Sequence, residues 1–133
     1  AVNSLTACVD VFVSLHRAEG FGLVMAEAML LGTPVIATNW SANTEFMNRE
    51  SACMVDYKKT AIEQDIPPFK KGYHWAEADV AQAAAYMKRL CEDSAFYERK
   101  KAAAGAYIRE KTKMQHSVSL LEDRLGKILE ERK

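Results

Sequence analysis

The chain has 133 residues, about half of them apolar, and its 18 lysines and arginines balance 18 aspartates and glutamates. That is enough to bury a core in one domain or a piece of one, which excludes wholesale disorder. The neutral balance argues against nucleic acid or an anionic membrane surface as a general partner, and no run approaches the roughly 18 apolar residues of a membrane span.

Three cysteines, Cys8, Cys53 and Cys91, lie far apart in apolar patterns and read as buried free thiols in a reducing compartment. Without a Cys-x-x-Cys, and with three scattered histidines, no metal site is expected. Ala1 to Asp10 lacks the basic start and apolar run of a signal peptide. The expected location is the cytoplasm, with peripheral membrane attachment left open for a longer parent protein.

Taken in chain order, Cys8 to Leu15 is apolar on both sides of a period-two pattern, as in a strand covered on both faces. Leu23 to Leu31 reads as a helix, and Gly32 followed by Pro34 stops it. Pro34 to Asn39 is a second buried strand, which completes a βαβ unit. Asn43 is placed to cap a brief helix over Thr44 to Asn48, and Ala52 to Tyr57 predicts a third strand. From Lys58 to Tyr73 the pattern fails around Pro67-Pro68 and Gly72, an irregular excursion of a length usually kept for function or interaction. Val80, Ala83, Ala84, Met87, Leu90 and Cys91 then form a helical core stripe, Ser94 to Lys113 continues as helix weakened near Gly105, and Ser117 to Arg132 closes with Val118, Leu121, Leu125, Ile128 and Leu129 along one side.

The predicted fold is α/β: a partial Rossmann-like parallel sheet of about three strands with flanking helices and a helical C-terminal region. With its helices gathered late in the chain, such a sheet is not expected to be covered easily on both faces. The expectation is a chain that starts inside a larger enzyme.

Chemistry concentrates in Glu19-Gly-Phe-Gly-Leu-Val-Met-Ala-Glu27. Ligands of open α/β sheets sit at the carboxyl ends of the strands, and unpaired amides at a helix N-terminus attract phosphate. Gly20 and Gly22 let that backbone approach a ligand closely. Glu27, one turn further on, is a carboxylate in a greasy helix that either faces water or is paired by something arriving. It can accept two hydroxyl hydrogen bonds of the kind a ribose supplies, and Glu19 is placed to accept from a second hydroxylated ring. Taken singly, each glutamate reads better as solvated; with the glycines they describe a ribose, a phosphate and a sugar in a row. His16 and Arg17 flank the turn as candidates for touching phosphate or donor sugar, with a solvated loop pair as the competing reading. Trp75 reads as a packing anchor.

Asp10-Val-Phe-Val-Ser-Leu15, the glutamate pair at Glu-x7-Glu spacing, Gly32-Thr-Pro-Val-Ile-Ala37 and Glu45 resemble the C-terminal, donor-binding domain of GT-B fold glycosyltransferases of the group-1 (family 4) type. Ser14-Leu-His-Arg17, Ser41 to Met47 and Trp75-Ala-Glu77 are similar to a subset found in surface-polysaccharide enzymes. The likeness runs from about Asn3 to about Tyr107 and is dense over residues 7 to 57. It implies a retaining transfer of a hexosyl group from a nucleoside-diphosphate sugar to a carbohydrate or glycoconjugate acceptor, with no cofactor and no obligatory metal. On that pattern Glu27 binds ribose, the backbone of Gly20, Phe21, Gly22 and Leu23 meets the distal phosphate and sugar, and Glu19 is the candidate catalytic residue at a hexose hydroxyl. His16, Arg17, Asn43 and Glu45 complete the donor-binding set.

Two departures accompany the resemblance. The basic pair that holds the diphosphate in relatives would lie upstream of Ala1, as would the acceptor-binding domain. Ser41-Ala42 stands where many relatives have Gly-Gly. The implied organisation is a truncated nucleotide-sugar-binding domain over residues 1 to 110 and a C-terminal helix over 111 to 133. That helix normally packs on an absent N-terminal domain, so self-association through it is expected, and the chain alone is expected not to turn over donor. The competing classes are a non-catalytic nucleotide-sugar-binding or interaction module and a sugar-nucleotide epimerase-like domain.

Overall fold

A computed structural model describes residues 2–131. At its centre three short strands, β1 (Phe12–Ser14), β2 (Val35–Thr38) and β3 (Cys53–Val55), pair in parallel in the order β1-β2-β3. Strands β2 and β3 are apolar at nearly every position and buried throughout, because parallel crossovers place helices on both faces of such a sheet. Helix α1 (Val2–Ala7) precedes β1, and α2 (Leu23–Leu30) joins β1 to β2. The α2 helix stops at Gly32, whose φ of 80° is the left-handed conformation expected at a helix end.

The period-two alternation of the strands sorts the core into two layers. Val35, Ala37 and Met54 face α2 and the second half of α4 (Ser94–Lys111), against Met25, Met29, Ala104 and Ile108. Ile36, Cys53 and Val55 face the other way, toward Ala83 and Leu90 of α3 (Val80–Glu92) and Phe96 at the start of α4. Helix α4 therefore serves both layers, and β2 and β3 are covered on both faces, against the expectation that late helices would leave one bare.

Several other expectations are corrected. The first strand is short and lies at the sheet edge: Val13 is exposed, and Cys8 and Val9 precede the strand in solvent. Of the three thiols only Cys53 is buried; Cys8 and Cys91 are exposed. The buried stripe of α3 is Ala83 and Leu90, with Tyr86 half-buried, while Val80, Ala84, Met87 and Cys91 face solvent. Helix α4 runs unbroken through Gly105, which is buried; a Cβ there would lie 3.8 Å from the Met29 carbonyl oxygen of α2. The glycine is an ordinary packing position of the helix, not a break.

The excursion after β3 contains two strands absent from the pattern: β4 (Tyr57–Ala61) and β5 (His74–Ala78) form an antiparallel hairpin with Tyr57 opposite Ala78 and Ala61 opposite His74. Three consecutive β4 side chains are Lys58, Lys59 and Thr60, and all but the first residue of the strand are exposed, so no apolar alternation announced it. Helix α5 (Met114–Glu131) buries none of its residues.

Candidate functional site: the β1–α2 turn

Strand β1 ends at Ser14, and the chain runs over to Gly22, the N-cap of α2. Gly22 has φ 88°, and a Cβ there would fall 2.6 Å from Met25 Cε and 3.3 Å from Phe46 Cζ. The angle favours glycine, and any side chain there would also push aside the end of Met25. No side chain caps α2, and its first intrahelical bond runs from Ala26 N to Gly22 O at 3.0 Å. The amides of Leu23, Val24 and Met25 precede that bond, the arrangement that favours an anion at a helix start. A depression of about 330 Å³ lies there, lined by Phe12, Ser14, Glu19, Gly22, Leu23, Val24 and Met25. Phe21, exposed beside it, packs on buried Phe46 with ring centroids 5.0 Å apart.

The two glutamates differ in environment. Glu27 is half-buried between buried Ala26 and Ala28, and its carboxylate has no hydrogen-bond or ion-pair partner among the described residues. Glu19 is also half-buried, and its Oε1 accepts from its neighbour's amide, Gly20 N, at 2.9 Å. Its backbone is held from the second loop: Ser41 Oγ donates to Glu19 O at 2.6 Å and accepts from Glu19 N at 3.2 Å.

His16 ties the same two loops together. Its Nε2 lies 2.9 Å from Trp40 O and 3.1 Å from Asn43 Oδ1, while Asn43 Nδ2 donates to Thr38 O at 3.0 Å. Both neighbours of Nε2 are acceptors, so that nitrogen carries the proton, and Nδ1 accepts from Ser14 Oγ at 3.2 Å. Both ring nitrogens thus serve the protein scaffold. Asn43 is fully buried inside a 3-10 helix, Ala42–Glu45, instead of capping the helix expected over Thr44 to Asn48; Ser41 holds the N-cap position. Glu45 closes that helix in solvent.

Arg17 turns away toward the hairpin. It pairs with Glu77 of β5 at 2.7 Å and lies 4.6 Å over the Trp75 ring, while its carbonyl accepts from Ala76 N at 3.0 Å. The structure therefore brings Glu19, Gly22 and Leu23 to one depression, links His16 and Asn43 by a hydrogen bond between the two loops, and sets Arg17 against β5. Sequence reasoning left Ser41 and Glu77 without a role. For Ser41 the available signal was its place where relatives carry glycine.

An open strand-to-helix turn at the carboxyl end of a short parallel sheet defines an α/β domain of the Rossmann-like type. The chain belongs to the family described as glycosyl transferases group 1, whose model matches residues 1–93, and with it to the GT-B glycosyltransferases. The match takes in the sheet, the turn, the hairpin and α3. No curated protein matches the chain.

Proposed function

We propose that the chain is the nucleotide-sugar donor-binding part of a retaining hexosyltransferase acting in polysaccharide or glycoconjugate synthesis in the cytoplasm. One observation carries this reading: the uncapped N-terminus of α2, opened by left-handed Gly22, lies between Glu19 and an unpaired, half-buried Glu27. In this reading the distal phosphate sits at the amides of Gly22 and Leu23, ribose hydroxyls pair with Glu27, and a hexose hydroxyl displaces the Gly20 amide from Glu19. As the phosphate departs it gains negative charge, and fixed amides aimed at it stabilise the transition state more than the bound donor. The remaining contribution is position. Residues 1 to 110 form the donor lobe, the acceptor is held mainly by a second domain, and this chain by itself binds nucleotide weakly and does not transfer.

The test is a titration of the ¹⁵N-labelled chain with uridine, guanosine and adenosine diphosphates. The largest shifts are expected at the amides of residues 20 to 27 for at least one nucleotide, with the response reduced in Glu27→Ala. Unmoved turn amides with all three, or an unchanged response in Glu27→Ala, would remove the assignment. In a longer transferase that contains the chain, Glu19→Ala is expected to abolish transfer while preserving nucleotide binding.

A further inference from the structure

The hairpin carries a groove of about 510 Å³ that the turn does not use, a size within the ordinary range for small-molecule sites. Its apolar lining is buried Ile62 with the partly buried Trp75 and the exposed Ile66. Its polar lining includes Arg17, Glu77, Glu63 and Gln64.

The polar lining is partly preorganised. Arg17 is stacked on Trp75 and paired with Glu77, and both charged side chains remain about half-exposed. An ion pair that exposed adds little to stability. What it does supply is two planar groups held in fixed orientation, the guanidinium with N–H donors to spare and the carboxylate with lone pairs to spare. Glu63 and Gln64 have no hydrogen-bond partner among the described residues and add further acceptors and donors.

Charge selects among ligands. The lining holds one guanidinium against two carboxylates, so a phosphate or nucleotide is disfavoured there. The described residues contain no group of three or more metal-ligating side chains. A neutral ligand with hydroxyls around its edge and an apolar C–H face satisfies both the polar and the apolar lining, and a pyranose has that chemistry. The groove also abuts the donor turn, since Ala76 N of β5 donates to Arg17 O, two residues before Glu19.

We propose that this groove is a subsite for a neutral pyranose of the acceptor glycan, so that the hairpin selects what receives the transferred sugar. The proposal rests on the transferase reading above. The ¹⁵N-labelled chain is titrated with methyl pyranosides of gluco, galacto, manno and L-rhamno configuration at tens of millimolar, and separately with the nucleoside diphosphates. At least one glycoside is expected to shift the Trp75 indole and Gln64 signals saturably. The double variant Glu63→Ala/Gln64→Ala, confined to exposed residues, is expected to weaken that response by about fivefold or more, as loss of a hydrogen bond of ordinary strength would, and to leave the nucleotide shifts at the turn unchanged. A nucleotide response with no glycoside response at the hairpin overturns the subsite and leaves the donor reading standing. A glycoside response without any nucleotide response overturns the donor reading and with it the acceptor role of the groove. Equal glycoside binding by the double variant also overturns the subsite.

Discussion

Ser41 and Glu19, far apart in sequence, are joined by two hydrogen bonds through one hydroxyl: Ser41 Oγ donates to Glu19 O at 2.6 Å and accepts from Glu19 N at 3.2 Å. The serine does this from φ 80° and ψ −161°, the only positive φ among the described non-glycine residues. That backbone region belongs almost wholly to glycine, and holding another residue there costs roughly 1–3 kcal/mol. The clamp and the strain oppose each other. Ser41→Gly removes both and is expected to change stability by less than about 1 kcal/mol. Ser41→Ala keeps the strain and loses the clamp, so a loss of about 1–2 kcal/mol is expected in urea denaturation. An alanine variant as stable as the glycine variant would contradict the balance.

Gly22→Ala tests whether the turn tolerates any side chain. The new Cβ sits at φ 88° and displaces the end of Met25, whose Cε would otherwise lie 2.6 Å away, so a destabilisation of about 1–3 kcal/mol is expected, chiefly from backbone strain. Nucleotide-induced shifts at Leu23 and Val24 should fall with it, since the amides move with the turn. A variant that keeps parental stability and shifts would show the constraint to be weaker than the geometry says.

Thr38, at the end of β2, is fully buried, and its Oγ1 has no hydrogen-bond partner. Burying an unpaired hydroxyl costs about 1–3 kcal/mol relative to a satisfied one. Thr38→Val, which exchanges the hydroxyl for a methyl, is expected to hold or raise the thermal midpoint. A marked drop in calorimetry would show that the hydroxyl is satisfied in solution.

Thiol reactivity should divide two to one. Burial pushes the Cys53 thiol up to about 11, with Lys100 and Arg89 offsetting part of the effect, whereas Cys8 and Cys91 are exposed. The thiolate is the reactive form. Iodoacetamide at pH 8 is therefore expected to modify Cys8 and Cys91 in the folded chain and Cys53 only after unfolding, read by mass spectrometry. Rapid native labelling of Cys53 would contradict its burial.

Helix α5 buries no residue, although Leu121, Leu125 and Leu129 lie along it in solvent. Removing residues 114–133 is expected to leave the unfolding midpoint of the remainder within a few degrees of the parent, because no core contact is lost. We propose that the exposed stripe drives self-association of the intact chain, so that sedimentation becomes concentration-dependent and the truncated chain sediments as a monomer. A monomer at all concentrations for the intact chain would remove that proposal.

Much of the central sheet was legible because its strands are buried and apolar, and burial leaves its mark in residue type. Val35 to Thr38 and Cys53 to Val55 appeared as expected, as did the stop at Gly32. The hairpin was invisible for the opposite reason. Tyr57 to Ala61 is held by ladder hydrogen bonds while every side chain after Tyr57 is exposed, so its residues carry no period. The α3 stripe was misplaced because alanine and methionine suit either side of a helix, and the neighbouring strands decided which face was covered.

By itself the sequence determined a parallel α/β sheet, a glycine-built turn at the end of its first strand, and two glutamates spaced around that turn, since each depends on local backbone geometry or on burial. The tertiary structure alone decided what holds the turn in place. Ser41 clamps the backbone of Glu19, His16 bonds Trp40 and Asn43, and Arg17 is drawn to Trp75 and Glu77. Those partners lie tens of residues apart along the chain, and no pattern of propensity or spacing records which donors and acceptors the packed layers bring within hydrogen-bond distance.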